Sequence, residues 1–254
     1  MKIHIDARLV SKTLQVMLAV MDKETKLLLI PSVGEWGGEP GQRELITIVG
    51  KNDTVGAAVS VPVNGGNITD PVQVPQSAVK LLGSIATQTV KRLDKFYKET
   101  GTDMDGREYN MILTLDIDGD KGVLSIMPDG LDGAGVTVHV DVDLSDAIPA
   151  EGMARLFANG GGTPKGNDGN ALPTGGLSVW SSETLGILSR VAKICKMDIK
   201  LYDRGHKGTT FQASCGMNSE ESGDVLVSLY ATPSPWGEGV NLDSADDVVE
   251  IPKF

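Results

Sequence analysis

The chain has 254 residues and a mass of 26.8 kDa, a length that suits one large domain or two modest ones. Apolar residues make up 40% of it, which is enough to form a core and excludes a generally disordered chain. Its 34 acidic residues outnumber 23 basic ones, giving a net charge of -11. This balance excludes a uniformly cationic surface, so any contact with phosphate must come from a segregated basic face.

The two cysteines and the N-terminal residues indicate the cellular setting. Cys195 and Cys215 are too few for a disulfide framework or a four-cysteine zinc site, and the three histidines do not cluster with them. Asp6 and Arg8 stand where a signal peptide needs an apolar stretch, and the apolar runs are too short to span a membrane. We therefore expect a cytoplasmic protein with no membrane partner.

Two hydrophobic periodicities divide the chain into helices and strands. The helical period predicts helices at 6–19, 76–98, 150–158 and 181–196. Alternation of apolar and polar residues predicts half-buried strands at 55–63, 111–117, 136–142, 199–201, 211–213 and 225–229. Stretches rich in turn-forming residues are expected to be irregular at 31–42, 99–108, 159–176 and after Pro233.

The order of the predicted elements indicates an internal repeat. Strand, helix and strands follow one another and begin again near residue 144. We therefore predict a first domain at 1–143, a second at 144–233 and an acidic tail at 234–254. Half-apolar strands beside amphipathic helices favour an α+β fold with antiparallel sheets.

Positive charge is concentrated on the predicted helices. The segments 76–98 and 181–196 hold 8 basic and 2 acidic residues, whereas the remaining 215 positions hold 15 basic and 32 acidic ones. A solvated face on an ordinary helix explains each helix alone. The segregation within an acidic protein favours helices gathered along a phosphate backbone instead. The hydroxyl and amide residues between the cations suit contact without base reading.

Several segments follow one another along the chain in an order that is typical of one protein family. The first 143 residues contribute MKIHIDARLVSKTLQVMLAV, LITIVGKNDTVGAAVSVPV, VQVPQSAVKLLGSI and LTLDIDGDKGVLSIMP. A later segment is SSETLGILSRVAKICKMDIKLYDRGHKGTTFQASCG, closed by DVLVSLYATP. In this order the segments resemble the DNA sliding clamps of bacterial replicative polymerases, the later one resembling the second half of another clamp domain. The resemblance rests on the order and spacing of these elements.

This resemblance implies a DNA-clamp fold, with antiparallel sheets outside and helices lining a central channel around duplex DNA. It implies a polymerase processivity factor that is not an enzyme, takes no cofactor, and has duplex DNA, a DNA polymerase and a clamp loader as partners. The implied DNA-facing residues are Arg8, Lys12, Lys80, Lys91, Lys95, Lys98, Arg190, Lys193 and Lys196. An apolar pocket for polymerase peptides is implied around Leu229, Tyr230 and Pro233.

The resemblance also implies how many protomers form the ring around the DNA. Clamp rings are lined by twelve helices, so four helices per protomer imply three subunits, and a trimer is favoured over a dimer. Residues 144–176 show only a short helix and a glycine-rich stretch, where a complete clamp domain has a helix and several strands. The second domain is therefore expected to be reduced or divergent.

Other chemistry is weakly supported by the sequence. Asp116, Asp118 and Asp120 are spaced as in a calcium loop, but the glycine is misplaced and Met127 stands where a glutamate is needed. A hairpin turn is the better interpretation, and no metal site is predicted. The common hydrolase, phosphate-loop, zincin and dinucleotide motifs are missing, so we predict no catalytic residues. Cys195 falls on the apolar face of a helix and is expected in the core.

The C-terminal tail supports an alternative function. Its sequence, NLDSADDVVEIPKF, resembles the acidic tip with which bacterial single-stranded DNA-binding proteins recruit partners. A protein of that class holds bases on exposed aromatic side chains, whereas this chain has only 3 Trp, 4 Tyr and 4 Phe. Such a protein remains the alternative to the clamp, and a disordered acidic end remains the alternative for the tail.

Overall fold

The computed structural model describes residues 2–36, 39–67, 71–103, 107–118, 121–128, 136–141, 181–202, 211–219 and 223–231. Within these ranges the helices are α1 (Ala7–Val20), α2 (Gln76–Thr100) and α3 (Ser182–Cys195). The strands of the same ranges are β1 (Lys2–Asp6), β2 (Lys26–Trp36), β3 (Glu39–Lys51), β4 (Val55–Pro62), β5 (Gly65–Asn67), β6 (Val72–Pro75), β7 (Asn110–Asp118), β8 (Lys121–Pro128), β9 (Val136–Asp141), β10 (Lys200–Tyr202), β11 (Phe211–Ser219) and β12 (Gly223–Ala231).

The strands form two antiparallel sheets. One has five strands in the order β5-β1-β7-β8-β9, and the other has seven in the order β10-β11-β12-β4-β3-β2-β6. The helices cover the sheets: α1 packs on β3 and β4, α2 on β6 and β9, and α3 on β11. The predicted α+β fold with antiparallel sheets is confirmed.

Local signals fix the helix ends. The Asp6 carboxylate accepts hydrogen bonds from the backbone N–H groups of Arg8 at 2.7 Å and Leu9 at 3.3 Å, which caps α1. The Ser181 hydroxyl accepts from the N–H of Thr184 at 3.0 Å and caps α3. Helix α2 extends two residues beyond its predicted end, because the left-handed residue that terminates it is Gly101, with φ of 66°.

The apolar side of β4 that the alternation predicts is confirmed as part of the core. Val55, Ala57, Val59 and Val61 of β4 are each at most 1% exposed, so one side of this strand faces the helices throughout. Gly50 of the neighbouring β3 lets α1 approach closely. A Cβ atom at Gly50 would lie 3.0 Å from the sulfur of Met17 and from Cγ of Met21. The C-terminal end of α1 is therefore seated tightly on this sheet.

The acidic segment at 116–120 belongs to a hairpin. Asp118 of β7 pairs with Lys121 of β8, so only two residues connect the strands. A two-residue connection leaves no space for a twelve-residue calcium loop. The predicted hairpin turn is confirmed.

The prediction of an irregular segment at 31–42 is wrong over most of its length. β2 continues to Trp36 and β3 begins at Glu39, with a register shift between Gly34 and Trp36. Pro31 is tolerated because β6 pairs with β2 only from Lys26 to Leu29, so the missing N–H lies beyond the end of that ladder. Proline and glycine here indicate a sheet edge and a bulge rather than a loop.

The seven-stranded sheet continues across the predicted domain boundary at 143. β12 pairs with β4, with Leu229 opposite Ala57, and α3 packs against α1. Cys195 of α3 is 5% exposed in the same apolar core, which confirms its predicted core role. The division into 1–143 and 144–233 stays a prediction. The predicted helix at 150–158, the stretch at 159–176 and the tail at 234–254 lie outside the described residues.

Among the described helices, none combines the length and apolar character needed to cross a membrane.

Candidate nucleic-acid interface

Helix α1 is the helix against which both of the others pack. Its contact with α2 is close, because a Cβ atom at Gly83 would lie 3.6 Å from Cβ of Leu14. One turn further along, the hydroxyl groups of Ser11 and Thr87 are 2.8 Å apart. The pairs Leu14–Gly83 and Ser11–Thr87 show that α1 and α2 run antiparallel, so their faces keep a fixed register.

Helix α2 exposes the face that the sequence predicted to be basic. Val79, Leu82, Ala86, Thr89 and Leu93 are buried at no more than 5% exposure, and they form the opposite face. The side of α2 that is open to solvent carries Lys80, Ser84, Gln88, Lys91, Lys95 and Lys98. The four predicted lysines of α2 therefore share one exposed face of the helix.

Helix α3 has the same arrangement. Thr184, Leu188, Val191 and Cys195 are buried against the core. The exposed side carries Ser182, Gly186, Ser189, Arg190, Lys193 and Lys196. Lys196 follows the helix in the left-handed conformation, with φ of 53°, so its cation lies at the negative end of the helix dipole.

Helix α1 differs from the other two. The Arg8 side chain is only 16% exposed and makes an ion pair with Asp6 at 2.9 Å, while its guanidinium lies 4.0 Å from the centroid of the Tyr109 ring. Lys12 is half-buried, and Ser11, expected on the polar face, is buried. The structure thus joins Arg8 to a folded network rather than to an open cationic surface.

Three acids accompany the cations of α2 and α3. Asp94 accepts a hydrogen bond from the Tyr109 hydroxyl at 2.5 Å, and Glu99, within the last turn of α2, lies 3.7 Å from the Lys95 ammonium. Glu183 occupies the first turn of α3, where a negative charge complements the helix dipole. Of the α2 lysines, Lys95 is the one whose charge has an acidic neighbour within ion-pair distance in the described ranges.

One cation of this surface was not predicted from the helical projection. Arg92 is exposed on α2, one turn from Gln88, but its angular position falls between the polar and apolar arcs of the helix. Its neighbour Phe96 is 49% exposed, so this flank of α2 combines a cation with an aromatic ring. The overall excess of basic residues in 76–98 already contained the signal for Arg92.

The predicted peptide pocket lies only partly within the described residues. Leu229 is fully buried in the core opposite Ala57, and the assignment of a peptide pocket around it stays a prediction. Its apolar side chain faces the helix layer because alternation along β12 directs it inward. Tyr230 lies in β12, and Pro233 lies outside the described residues.

Acidic, histidine and cysteine side chains do not gather into groups of three or more at any point in the described ranges.

Solved structures share this arrangement of helices and sheets. The beta chain of DNA polymerase III from Streptococcus pneumoniae aligns with a TM-score of 0.51 at 10% identity, covering 100% of this chain and 68% of that one. The beta subunit from Pseudomonas aeruginosa gives 0.48 at 10% identity, covering 92% and 64%. The DNA polymerase sliding clamp from Bacillus subtilis gives 0.44 at 10% identity, with the same coverage.

The fold is therefore that of the beta-subunit sliding clamps of DNA polymerase III, as the sequence resemblance implied. The chain spans about two thirds of the length of these solved clamps, 64% to 68%. No family model matches the sequence. No curated protein matches it either.

Proposed function

We propose that this chain is a sliding clamp, a DNA polymerase processivity factor that encircles duplex DNA without reading its sequence. The observation that carries the proposal is the exposed basic face of α2, repeated on α3, in a protein of net charge -11 with the clamp fold. Chance placement in so acidic a chain would set more carboxylates than cations on these helices, whereas the cations there outnumber the acids. Selection for contact with phosphate accounts for their separation.

The side chains on these faces suit a mobile contact. Lysines are flexible point charges that attract phosphates without fixing one geometry, and the hydroxyl and amide groups between them, such as Ser84, Gln88 and Ser189, donate to backbone oxygens. Base-specific readers instead place side chains into a groove. A surface of this kind allows the protein to slide along the duplex.

The sheets provide the means of closing a ring. β9 ends the five-stranded sheet, and among the described strands it pairs only with β8. Its outer edge can therefore pair with a strand of another protomer, which would join two sheets into one. Because twelve helices line a clamp ring and the sequence predicts four per protomer, we favour a closed ring of three protomers over a dimer.

The proposal includes partners beyond DNA. A clamp tethers a polymerase and needs a loader to open the ring, and both are expected to act in the cytoplasm. The peptides of both partners are proposed to bind around Leu229, Tyr230 and Pro233. No catalytic step is assigned to any residue.

Topological binding to DNA tests the proposal. The protein at micromolar concentration is mixed with linear duplex, onto which a ring can thread from the ends without a loader, and the ends are then joined by ligase to give a nicked circle. The circle is separated from free protein by gel filtration and tested again after it is linearised. We expect retention on the circle, release after linearisation, and a native mass of three chains. The native mass of the free protein is measured in parallel.

Other outcomes would contradict the proposal. Equal retention on circular and linear duplex would show simple electrostatic adhesion, and a monomeric native mass would exclude a closed ring. Preference for single-stranded oligonucleotides with quenching of tryptophan fluorescence would favour the single-stranded DNA-binding alternative.

A further inference from the structure

Asp94 stands among the lysines of α2 at spacings that normally form ion pairs. Lys91 precedes it by three residues and Lys98 follows it by four, and both spacings bring oppositely charged side chains together on a helix. The pair Lys95–Glu99 shows that such a contact forms on this same helix, at 3.7 Å. In the part of the chain that the structure describes, Asp94 instead accepts a hydrogen bond from the Tyr109 hydroxyl.

Tyr109 is held firmly enough to fix the direction of that hydroxyl. The residue is 3% exposed, and its carbonyl oxygen accepts a hydrogen bond from the N–H of Ala7 at 2.7 Å. The Arg8 guanidinium covers one face of its ring, and the Tyr97 ring meets it edge-on with centroids 5.7 Å apart. A hydroxyl on a ring packed in this way has little freedom to leave Asp94.

Arg8 is fixed in turn by the residue that begins its own helix. Asp6 binds the guanidinium and caps α1, so the cation, the ring and the Asp94 carboxylate form one chain of contacts from α1 to α2. This series of contacts lies at one end of the antiparallel helix pair. It continues the register set by Ser11 and Thr87.

We propose that Tyr109 is a positioning residue for the basic face, because its hydroxyl holds the Asp94 carboxylate away from Lys91 and Lys98. The two ammonium groups then remain available to phosphates, although an acid stands in the same helix. This inference rests on the proposed function, since it concerns how the DNA-facing surface keeps its charge.

Removal of the Tyr109 hydroxyl should allow the Asp94 carboxylate to turn toward a lysine of α2. In Tyr109→Phe the ring and its contact with Arg8 stay, while the carboxylate is released to pair with Lys91 or Lys98. The net charge of the protein does not change. Because a paired lysine no longer releases a counterion at a phosphate, the slope of log K against log salt should fall by up to about one per protomer. Affinity at low salt should fall about two-fold, the size of one helix ion pair.

A double-mutant cycle tests the proposal. Binding of a labelled short duplex is measured by fluorescence anisotropy over a series of salt concentrations for wild type, Tyr109→Phe, Asp94→Asn and the double variant. We expect Tyr109→Phe to lower the salt slope when Asp94 is present and to have no effect in the Asp94→Asn background. A general loss of packing would act in both backgrounds, so the cycle separates the two explanations.

Tyr97→Phe is the matched control. Its hydroxyl also belongs to this aromatic pair, but it donates to the carbonyl oxygen of Glu108, and its removal releases no carboxylate. The salt slope of this variant should equal that of wild type, and the melting temperature of each variant confirms folding.

Two results would overturn the inference. A folded Tyr109→Phe protein with the wild-type salt slope would show that the hydroxyl does not govern Asp94, and an equal decrease in the Asp94→Asn background would show a purely structural effect. Duplex binding by wild type that depends on Lys91 and Lys98 would leave the proposed function intact in either case. Failure of the wild-type protein to be retained on circular duplex would refute the proposed function itself.

Discussion

Helices α1 and α2 carry cations predicted from the same periodicity, yet the structure uses them differently. On α2 the lysines are exposed on a continuous face, and only Lys95 has an acid within ion-pair distance in the described ranges. On α1, Arg8 is 16% exposed between Asp6 and the Tyr109 ring, and Ser11 is buried against Thr87. One helix presents charge to solvent, whereas the other uses charge to hold its neighbours.

The difference follows from the helices that pack beside each one. α1 contacts both other described helices, so part of its polar side is covered, whereas the polar side of α2 faces solvent. A polar arc on a helical projection therefore predicts exposure only where no other helix covers that arc. Substitutions on these helices test the contrast.

The largest effect is expected where α1 and α2 touch. Gly83→Leu places a branched side chain against Leu14, where even a Cβ atom would be at 3.6 Å. Overpacking of this kind costs about 1 to 3 kcal/mol of unfolding free energy. Gly186→Leu is the matched change on α3, where nothing lies within 4 Å of the added Cβ. It should stabilise the protein by about 0.5 to 1 kcal/mol because leucine favours the helix.

Urea unfolding of both variants measures these free energies. Equal destabilisation by the two substitutions would show that the α1–α2 contact is not tighter than the open surface of α3, and the contrast between the helices would fail.

A smaller effect is expected from removing a cation from each helix. Arg8→Ala loses a partly buried ion pair and a cation–π contact, which together contribute about 1 to 2 kcal/mol to unfolding free energy. Lys80→Ala removes an exposed side chain and should change it by less than about 0.5 kcal/mol. If the two substitutions lower the unfolding free energy equally in chemical denaturation, Arg8 is not a structural residue.

The smallest effect separates two lysines of one face. Lys91→Gln should lower the salt slope of duplex binding by about 0.9 per protomer, the value for one phosphate contact. Lys95→Gln should lower it less, since Glu99 already offsets part of that charge. Glu99→Gln, which frees Lys95, should make the two lysine variants alike. A larger effect for Lys95→Gln than for Lys91→Gln would contradict this assignment.

Local patterns were sufficient to predict much of the fold. The alternation of Val55, Ala57, Val59 and Val61 specified a buried strand face, and the helical period placed the α2 lysines on one side. These features depend on residues close in sequence. The acidic hairpin was predictable for the same reason, because turn-forming residues separate two alternating strands.

Contacts between residues that are distant in sequence could not be predicted from such patterns. Arg8 meets a tyrosine one hundred and one residues further along the chain, and nothing in the N-terminal segment indicates that ring. Pro31 and Gly34 are typical of loops, but the short pairing of β6 lets the strand continue through them. The burial of Leu229 depends on the pairing of β12 with β4 across the predicted boundary, and no local pattern in the sequence indicates that pairing.

The most direct test of the clamp account is retention of the protein on nicked circular duplex after equal charge reversals at two places. One variant changes Lys80, Lys91 and Lys95 to Glu on α2, and the other changes the exposed Lys23, Lys26 and Lys51, which lie off the helix faces. The account predicts that the helix variant is lost from the circle while the matched variant, with the same net charge, is retained. Equal retention or equal loss would contradict a channel lined by these helices.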